Sequence, residues 1–148
     1  MNAKGFSLPE LLAVIAMIAI AVAIGVPIVN EQVRMAEVRA VADELAMHLR
    51  TARSISVTNH TSVPFEISVD PTNTFRYKGK DGNWKTFSTP ARVRIAAGSD
   101  SVIDFKANGS VAAPSTIIIE SDVSGSKERW TATVSTMGRT QLVHERVN

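Results

Sequence analysis

The sequence contains an uncharged apolar run of nineteen residues near its N-terminus, from Leu11 to Val29. At 1.5 Å per residue, a helix of this length is about 28 Å long, close to the thickness of the hydrocarbon core of a bilayer. A buried helix of a soluble protein would normally have a polar face, and this run has none. A secretory signal peptide is the alternative, but it would have a shorter apolar stretch followed by a small-residue cleavage site. Because no such site follows Val29, the run predicts a membrane-spanning helix.

The residues after Val29 predict an amphipathic continuation of the same helix. Apolar positions recur at steps of three and four residues, with charged residues between them, and no glycine-rich or serine-rich linker interrupts the pattern. We therefore expect one helix of about fifty residues. It should be kinked at Pro27, because proline removes one backbone hydrogen bond and crowds the preceding turn. The apolar stripe consists of Val38, Val41, Leu45, Leu49, Ala52 and Ile55.

From Ser62 onward the hydrophobic period changes to two, which is typical of β-strands. The dipeptide Asp81–Gly82 separates two such segments and is a strong hairpin-turn signal. Strands this closely spaced predict an antiparallel head of one or two small sheets, which is the obvious partner for the apolar stripe of the helix. The expected strand segments are 63–69, 75–78, 84–87, 93–96, 102–105, 116–120, 130–135 and 141–144.

The composition argues against several classes of function. The chain has no cysteine, which removes thiol catalysis, thiolate metal sites and disulfide bonds. Its formal net charge of +2 is too small to indicate nucleic-acid binding by itself. The histidines His48, His60 and His144 are far apart in sequence, and no motif joins them to a nucleophile or a metal ligand. We therefore predict no catalytic residue, no metal site and no cofactor.

A carboxylate, Glu10, lies at the head of the apolar run in segment 5–12, GFSLPELL. An ionised carboxylate inside a bilayer costs about 2.5–3.5 kcal/mol, so it requires a compensating interaction. Taken alone, Glu10 has a simple explanation, since it can reach the membrane interface or stabilise the positive end of the helix dipole.

The whole segment resembles the type IV prepilin signature, in which a dedicated prepilin peptidase cuts a short basic leader after a glycine. The resemblance implies cleavage between Gly5 and Phe6, N-methylation of Phe6, and a role for Glu10 in subunit assembly. In that family the glutamate is thought to meet the amine of a neighbouring subunit, a pairing that would relieve the desolvation of both charges. Pro9 stands where many members have threonine, isoleucine or valine, and Pro27 matches their kink proline.

The C-terminal half contains the segments 103–110 (IDFKANGS), 116–120 and 130–135 and the dipeptide Gly138-Arg139. Together these residues resemble the GspH/FimT family of minor pseudopilins and minor pilins. The resemblance implies an α+β, type IV pilin-like fold, in which a long N-terminal helix packs on an antiparallel β-sheet head. The expected parts are a removed leader (1–5), a transmembrane and filament-core helix (6–29), an amphipathic continuation (30–60) and the β head (61–148).

The resemblance implies a structural subunit and not an enzyme. The first interpretation is an H-type minor pseudopilin that helps to initiate or tip the pseudopilus of a type II secretion system, and the alternative is a minor type IV pilin in pilus biogenesis or DNA uptake. Expected partners are the prepilin peptidase, other pilins or pseudopilins, and the bacterial inner membrane. Lys4 in the leader indicates a cytoplasmic N-terminus, which places the head in the periplasm. A nucleic-acid-binding module and a membrane-anchored enzyme remain as alternatives from other classes.

Two segments raise the question of a DNA contact. Some FimT-type pilins bind DNA through a Gly-Arg-x-Arg motif, and this chain keeps Arg139 but has Gln141 in place of the second arginine. One phosphate-binding cation is therefore lost, which favours a simple turn at Gly138 with a solvated arginine after it. The other segment, 75–85, mixes aromatic and basic residues in a pattern that can bind single strands. Strand alternation predicts instead that its aromatic residues face the core and its cations face solvent.

Overall fold

The structure is a computed structural model that describes residues 8–69, 71–121 and 127–147 of the 148-residue chain. The chain divides into two compact units, the first ending at Val33 and the second beginning at Arg34, and each is described by itself. The described elements are the helix α1 (Leu8–Asn59) and the strands β1 (Val63–Ser68), β2 (Thr74–Lys78), β3 (Trp84–Ser88), β4 (Val93–Ile95), β5 (Val102–Phe105), β6 (Ser115–Ser121), β7 (Lys127–Val134) and β8 (Thr140–Val147).

The described part of the first unit is the N-terminal portion of α1. Pro9 lies in the first turn, where proline is tolerated because no intrahelical partner exists for the missing amide hydrogen. The stretch Leu8–Val26 is long and apolar enough to cross a membrane by length and composition, and none of it is buried within the structure. A signal sequence near the N-terminus would meet the same criterion, so the membrane span stays a prediction. Pro27 lies within α1.

The second unit contains two four-stranded antiparallel sheets. The strand order is β3-β2-β1-β5 in the first sheet and β4-β6-β7-β8 in the second. Phe65 on β1 pairs with Tyr77 on β2 and with Ile103 on β5, so apolar side chains of three neighbouring strands lie on one face. The Asp81–Gly82 turn predicted from sequence joins β2 to β3. Gly82 has a φ of +78°, a value that glycine adopts without steric cost.

One hydrophobic core joins α1 to both sheets in the second unit. The predicted helix stripe belongs to it from Val38 to Ala52, and Ile55 packs against it partly buried. Phe65, Phe75 and Phe105 are fully buried and supply most of the aromatic volume. Burial of each large side chain stabilises the fold by about 1.5–3 kcal/mol. The structure therefore confirms the prediction of one long helix, of 52 residues, whose second half packs on an antiparallel β head.

Candidate functional site

Glu10 is the acidic residue of the first turn of α1, and it is exposed. It has no ion-pair partner within the described ranges, which begin at Leu8. Gly5 and Phe6, the predicted cleavage and methylation positions, lie outside the described residues. A cation that compensates this carboxylate must therefore come from outside the residues that the structure describes.

The helix that follows Glu10 exposes an apolar surface on all sides. Side chains such as Met17 and Ile24 are 70% and 61% exposed. Soluble proteins rarely leave a continuous apolar surface of this kind in water, because its hydration is unfavourable. This part of α1 requires an apolar environment that the described residues do not provide. The large exposed side chains are Leu8, Leu11, Leu12, Val14, Ile15, Met17, Ile18, Ile20, Val22, Ile24, Val26 and Val29.

The three histidines do not form a common site. His48 lies buried on α1, where its Nδ1 is 3.1 Å from the Tyr77 hydroxyl. His60 follows α1 with a φ of +52°, and His144 pairs with Glu128 and contacts the Trp130 ring. Within the ranges that the structure describes, no group of three or more histidine, aspartate and glutamate side chains is arranged to hold a metal ion.

His48 makes the stability of the head depend on pH. Burial among aromatic rings lowers its pKa below the ordinary value of 6.5, and the Glu44 carboxylate, 3.7 Å from its Nε2, offsets this only in part. The unfolded chain thus takes up a proton at this position at a higher pH than the folded chain does. The contribution of neutral, buried His48 to the stability of the head is fully present well above pH 6.5, and it is lost as the pH falls below this value.

We therefore expect the urea midpoint of the wild-type chain in detergent to fall as the pH is lowered from about 7.5 to about 5, and we expect His48→Leu to flatten this dependence. The matched control is His60→Gln, which removes an exposed histidine and should keep the wild-type slope. An equal slope in wild type and His48→Leu would show that His48 does not cause the pH dependence.

The Gly138-Arg139 segment lies in the turn between β7 and β8. The amide of Gly138 donates to the carbonyl of Ser135 at 2.7 Å, and Gly138 has a φ of +71°. A second turn, with Gly109 at a φ of +76°, lies against it. Arg53 of α1 donates from its Nε to the Gly109 carbonyl at 3.1 Å. The interpretation of Gly138 as a turn residue is confirmed, and its neighbours show that this turn is packed closely.

Arg139 lies at a cleft that the sequence analysis did not predict. The cleft has a volume of about 900 Å³ and is lined by Arg50 and Arg53 of α1 and by the turn that carries Arg139. We call it the three-arginine cleft. The three-residue spacing of Arg50 and Arg53 places them on one helix face, which the sequence shows. The sequence does not show that this face lies beside the β7–β8 turn, because this placement depends on contacts between residues that are distant in sequence. The remaining lining residues are Pro114, Thr133, Val134, Ser135, Thr136, Met137, Gly138, Thr140 and Gln141.

Segment 75–85, which mixes basic and aromatic residues, has the side-chain orientations that strand alternation predicts, with one exception. Phe75 and Tyr77 are buried, whereas Arg76 and Lys78 are exposed. Trp84 is 40% exposed and lies on the same side as the cations, with the Arg76 guanidinium carbon 4.6 Å from its ring centroid. Arg76 also donates to the Glu66 carboxylate at 2.7 Å. Arg76 is therefore engaged by partners within the head, and the Nζ of Lys78 lies 5.7 Å from the centroid of the same Trp84 ring.

Comparison with known proteins gives two groups of similar solved structures. The type IV minor pilin FimU of Pseudomonas aeruginosa superimposes with a TM-score of 0.58 and 20% sequence identity, covering 72% of this chain and 88% of that one. The minor pseudopilin EpsH from the type 2 secretion system of Vibrio cholerae gives a TM-score of 0.56 and 15% identity, covering 73% of this chain and 97% of that one. No protein-family model matches the sequence, and no curated protein matches it.

These similarities agree with the architecture built from the residues upward. One long helix supplies an apolar stripe, two small antiparallel sheets cover it, and the same arrangement extends over most of each similar chain. At 15–20% identity the likeness concerns the fold. The prediction from the sequence is thereby confirmed, and the chain has the type IV pilin-like α+β fold of the FimU and EpsH minor subunits.

Proposed function

We propose that the chain is a minor pseudopilin of a type II secretion system, a structural subunit that helps to initiate or tip the pseudopilus. The observation that carries the proposal is the apolar N-terminal part of α1, Leu8–Val26, which is not buried and has Glu10 in its first turn, in a chain with the pilin-like fold. Such a helix requires lipid before assembly and other apolar helices after it. The subunit contributes no catalytic residue and no cofactor in this proposal.

The proposal includes processing at the N-terminus. A prepilin peptidase cleaves between Gly5 and Phe6, and Phe6 becomes the methylated N-terminus. The cut creates a positively charged amine a few residues before Glu10. Each of these charges is poorly solvated near lipid, at a cost of about 2.5–3.5 kcal/mol for a charge at the bilayer centre. Pairing of Glu10 with the amine of a neighbouring subunit compensates both charges at once.

In this proposal each segment of the chain has a distinct role. Residues 1–5 are a leader, 6–29 span the inner membrane and later form the filament core, and 30–60 continue the helix into the head at 61–148. Pro27 is the expected kink position. The N-terminus is cytoplasmic and the head periplasmic. The partners are the prepilin peptidase, the inner membrane and other pilins or pseudopilins.

A minor type IV pilin is the second candidate. The TM-score to FimU, 0.58, is close to the TM-score to EpsH, 0.56, so the fold favours neither system. A DNA contact through Arg139 belongs to this candidate, since the side chain is exposed in an arginine-lined cleft.

Deletion of the gene separates the two candidates. For a pseudopilin we expect loss of protein secretion into the medium, with twitching motility and DNA uptake retained, and restoration by the wild-type gene. Loss of twitching or DNA uptake with normal secretion would replace the pseudopilin by the minor pilin. A deletion strain that is normal in all three assays would contradict both.

A further inference from the structure

The three-arginine cleft concentrates positive charge that the described residues do not neutralise. Five other arginines have a carboxylate within 4.0 Å. Arg50, Arg53 and Arg139 have none among the side chains that the structure describes. Three like charges around one cleft repel each other, and an anionic ligand would relieve that repulsion. The paired arginines are Arg39, Arg76, Arg92, Arg94 and Arg129.

The arginines are held in place from two sides of the cleft. The Nε of Arg53 donates to the Gly109 carbonyl, which fixes the guanidinium and leaves its two terminal nitrogens for another acceptor. Arg50 lies one helical turn earlier on the same face of α1. Arg139 comes from the β7–β8 turn, whose backbone is set by the hydrogen bond from Ser135 N–H to the Arg139 carbonyl at 2.9 Å. A planar guanidinium held in this way matches the two oxygens of a carboxylate.

The remaining lining residues favour a peptide over a nucleic acid. Sites for single-stranded nucleic acid combine a basic groove with aromatic side chains on which bases stack. None of the described residues that line this cleft is aromatic, and none is a lysine. Pro114, Val134 and Met137 instead give it an apolar part, and Met137 is 69% exposed. An acidic side chain next to an apolar one matches both parts of the lining.

We infer that the three-arginine cleft is a docking site for an acidic, partly apolar segment of a neighbouring subunit. The inference deepens the proposed function, on which it rests, by naming the surface through which the head contacts another protein. The carboxylates of the segment pair with Arg50, Arg53 and Arg139, and its apolar side chain covers Met137.

The test uses the full chain in detergent micelles and a short fluorescent peptide in which two adjacent glutamates follow a leucine. We expect fluorescence anisotropy at low ionic strength to show binding. The double variant Arg50→Gln/Arg139→Gln should weaken it at least about tenfold, because it removes two charge-assisted contacts. Arg53 is left intact because it holds the Gly109 turn.

Three controls make the result specific. The double variant Arg34→Gln/Arg39→Gln removes the same net charge from α1 outside the cleft and should bind the peptide as the wild type does. A peptide with glutamine in place of glutamate should not bind. Equal urea midpoints of the cleft variant and the wild type exclude unfolding as the cause of weaker binding.

The inference fails if the acidic peptide does not bind, if the glutamine peptide binds equally, or if the control variant weakens binding as much as the cleft variant. It also fails if a single-stranded oligonucleotide binds more tightly than the peptide through the same arginines, since the cleft would then be a nucleic-acid site. Peptide binding is measured without assembly. The peptide experiment therefore tests acidic-ligand binding by the cleft independently of the filament assay, which tests the proposed function.

Discussion

Replacement of Gly138 by alanine is expected to lower the unfolding free energy of the head by about 2–5 kcal/mol. A residue with a side chain at a φ of +71° costs about 1–2 kcal/mol relative to glycine. The added methyl group would also overlap the backbone carbonyl of Gly109 and lie 2.8 Å from the Nε of Arg53. Overpacking of this kind typically costs a further 1–3 kcal/mol or so. A backbone carbonyl held by Arg53 cannot move aside as a flexible side chain can.

Gly82→Ala is the matched control for this prediction. Gly82 has a nearly equal φ of +78°, but an added methyl group there would have no atom within 4 Å other than those of Gly82 and its two chain neighbours. We expect Gly82→Ala to cost about 1–2 kcal/mol, the conformational part alone. The measurement is the urea midpoint of each full-length variant in detergent, followed by tryptophan fluorescence. Equal midpoints for the two variants would show that the close approach of the two turns contributes nothing to stability.

The core was predictable because its residues repeat at the period of the element that carries them. Leu45 and Leu49 recur at helical spacing and are fully buried, and Phe75 and Tyr77 alternate with exposed cations. Burial follows from such periodicity whatever the neighbouring element is. The strand segment 102–105 was predicted with its observed bounds for the same reason.

The last two strands are longer than their apolar patterns indicated. The sequence predicted strands at 130–135 and 141–144, whereas β7 begins at Lys127 and β8 ends at Val147. The additional residues include charged side chains that pair across strands. Arg129, for example, donates to the buried Glu120 carboxylate at 2.8 Å. Hydropathy counts these residues as polar, and their partners are known only once the strands are paired.

The candidate sites also differ in how far the local sequence predicts them. Glu10 was identified from local sequence, because a carboxylate at the head of an apolar run is unusual wherever the chain folds. The three-arginine cleft was not predicted, since it joins α1 to a turn more than eighty residues later in the chain. Trp84 was expected in the core, and its position over Arg76 results from the pairing of Trp84 with Lys78 across β2 and β3.

Glu10→Ala is expected to reduce incorporation of the chain into filaments at least about tenfold while leaving it in the membrane. Removal of the carboxylate leaves the neighbouring amine without its partner in an apolar environment, and an unpaired buried charge costs about 3–5 kcal/mol. Each 1.4 kcal/mol or so corresponds to a factor of ten in an equilibrium constant. Glu10→Gln should fail equally, because it keeps the shape of the side chain and removes only the charge.

Asp43→Ala is the control for loss of a carboxylate from the same helix. Asp43 lies 3.8 Å from Arg39, and both side chains are mostly exposed. Such surface pairs are worth at most about 1 kcal/mol, so this variant should be incorporated as the wild type is.

The most direct measurement is the amount of Glu10→Ala chain in filaments isolated from cells that lack the wild-type gene, relative to the amount in their membranes. Mass spectrometry of the membrane fraction reports the N-terminal residue of the same chains. The account predicts chains that begin at methylated Phe6, are retained in the membrane and are depleted in filaments. Incorporation of Glu10→Ala at the wild-type level, or chains that still begin at Met1, would contradict it.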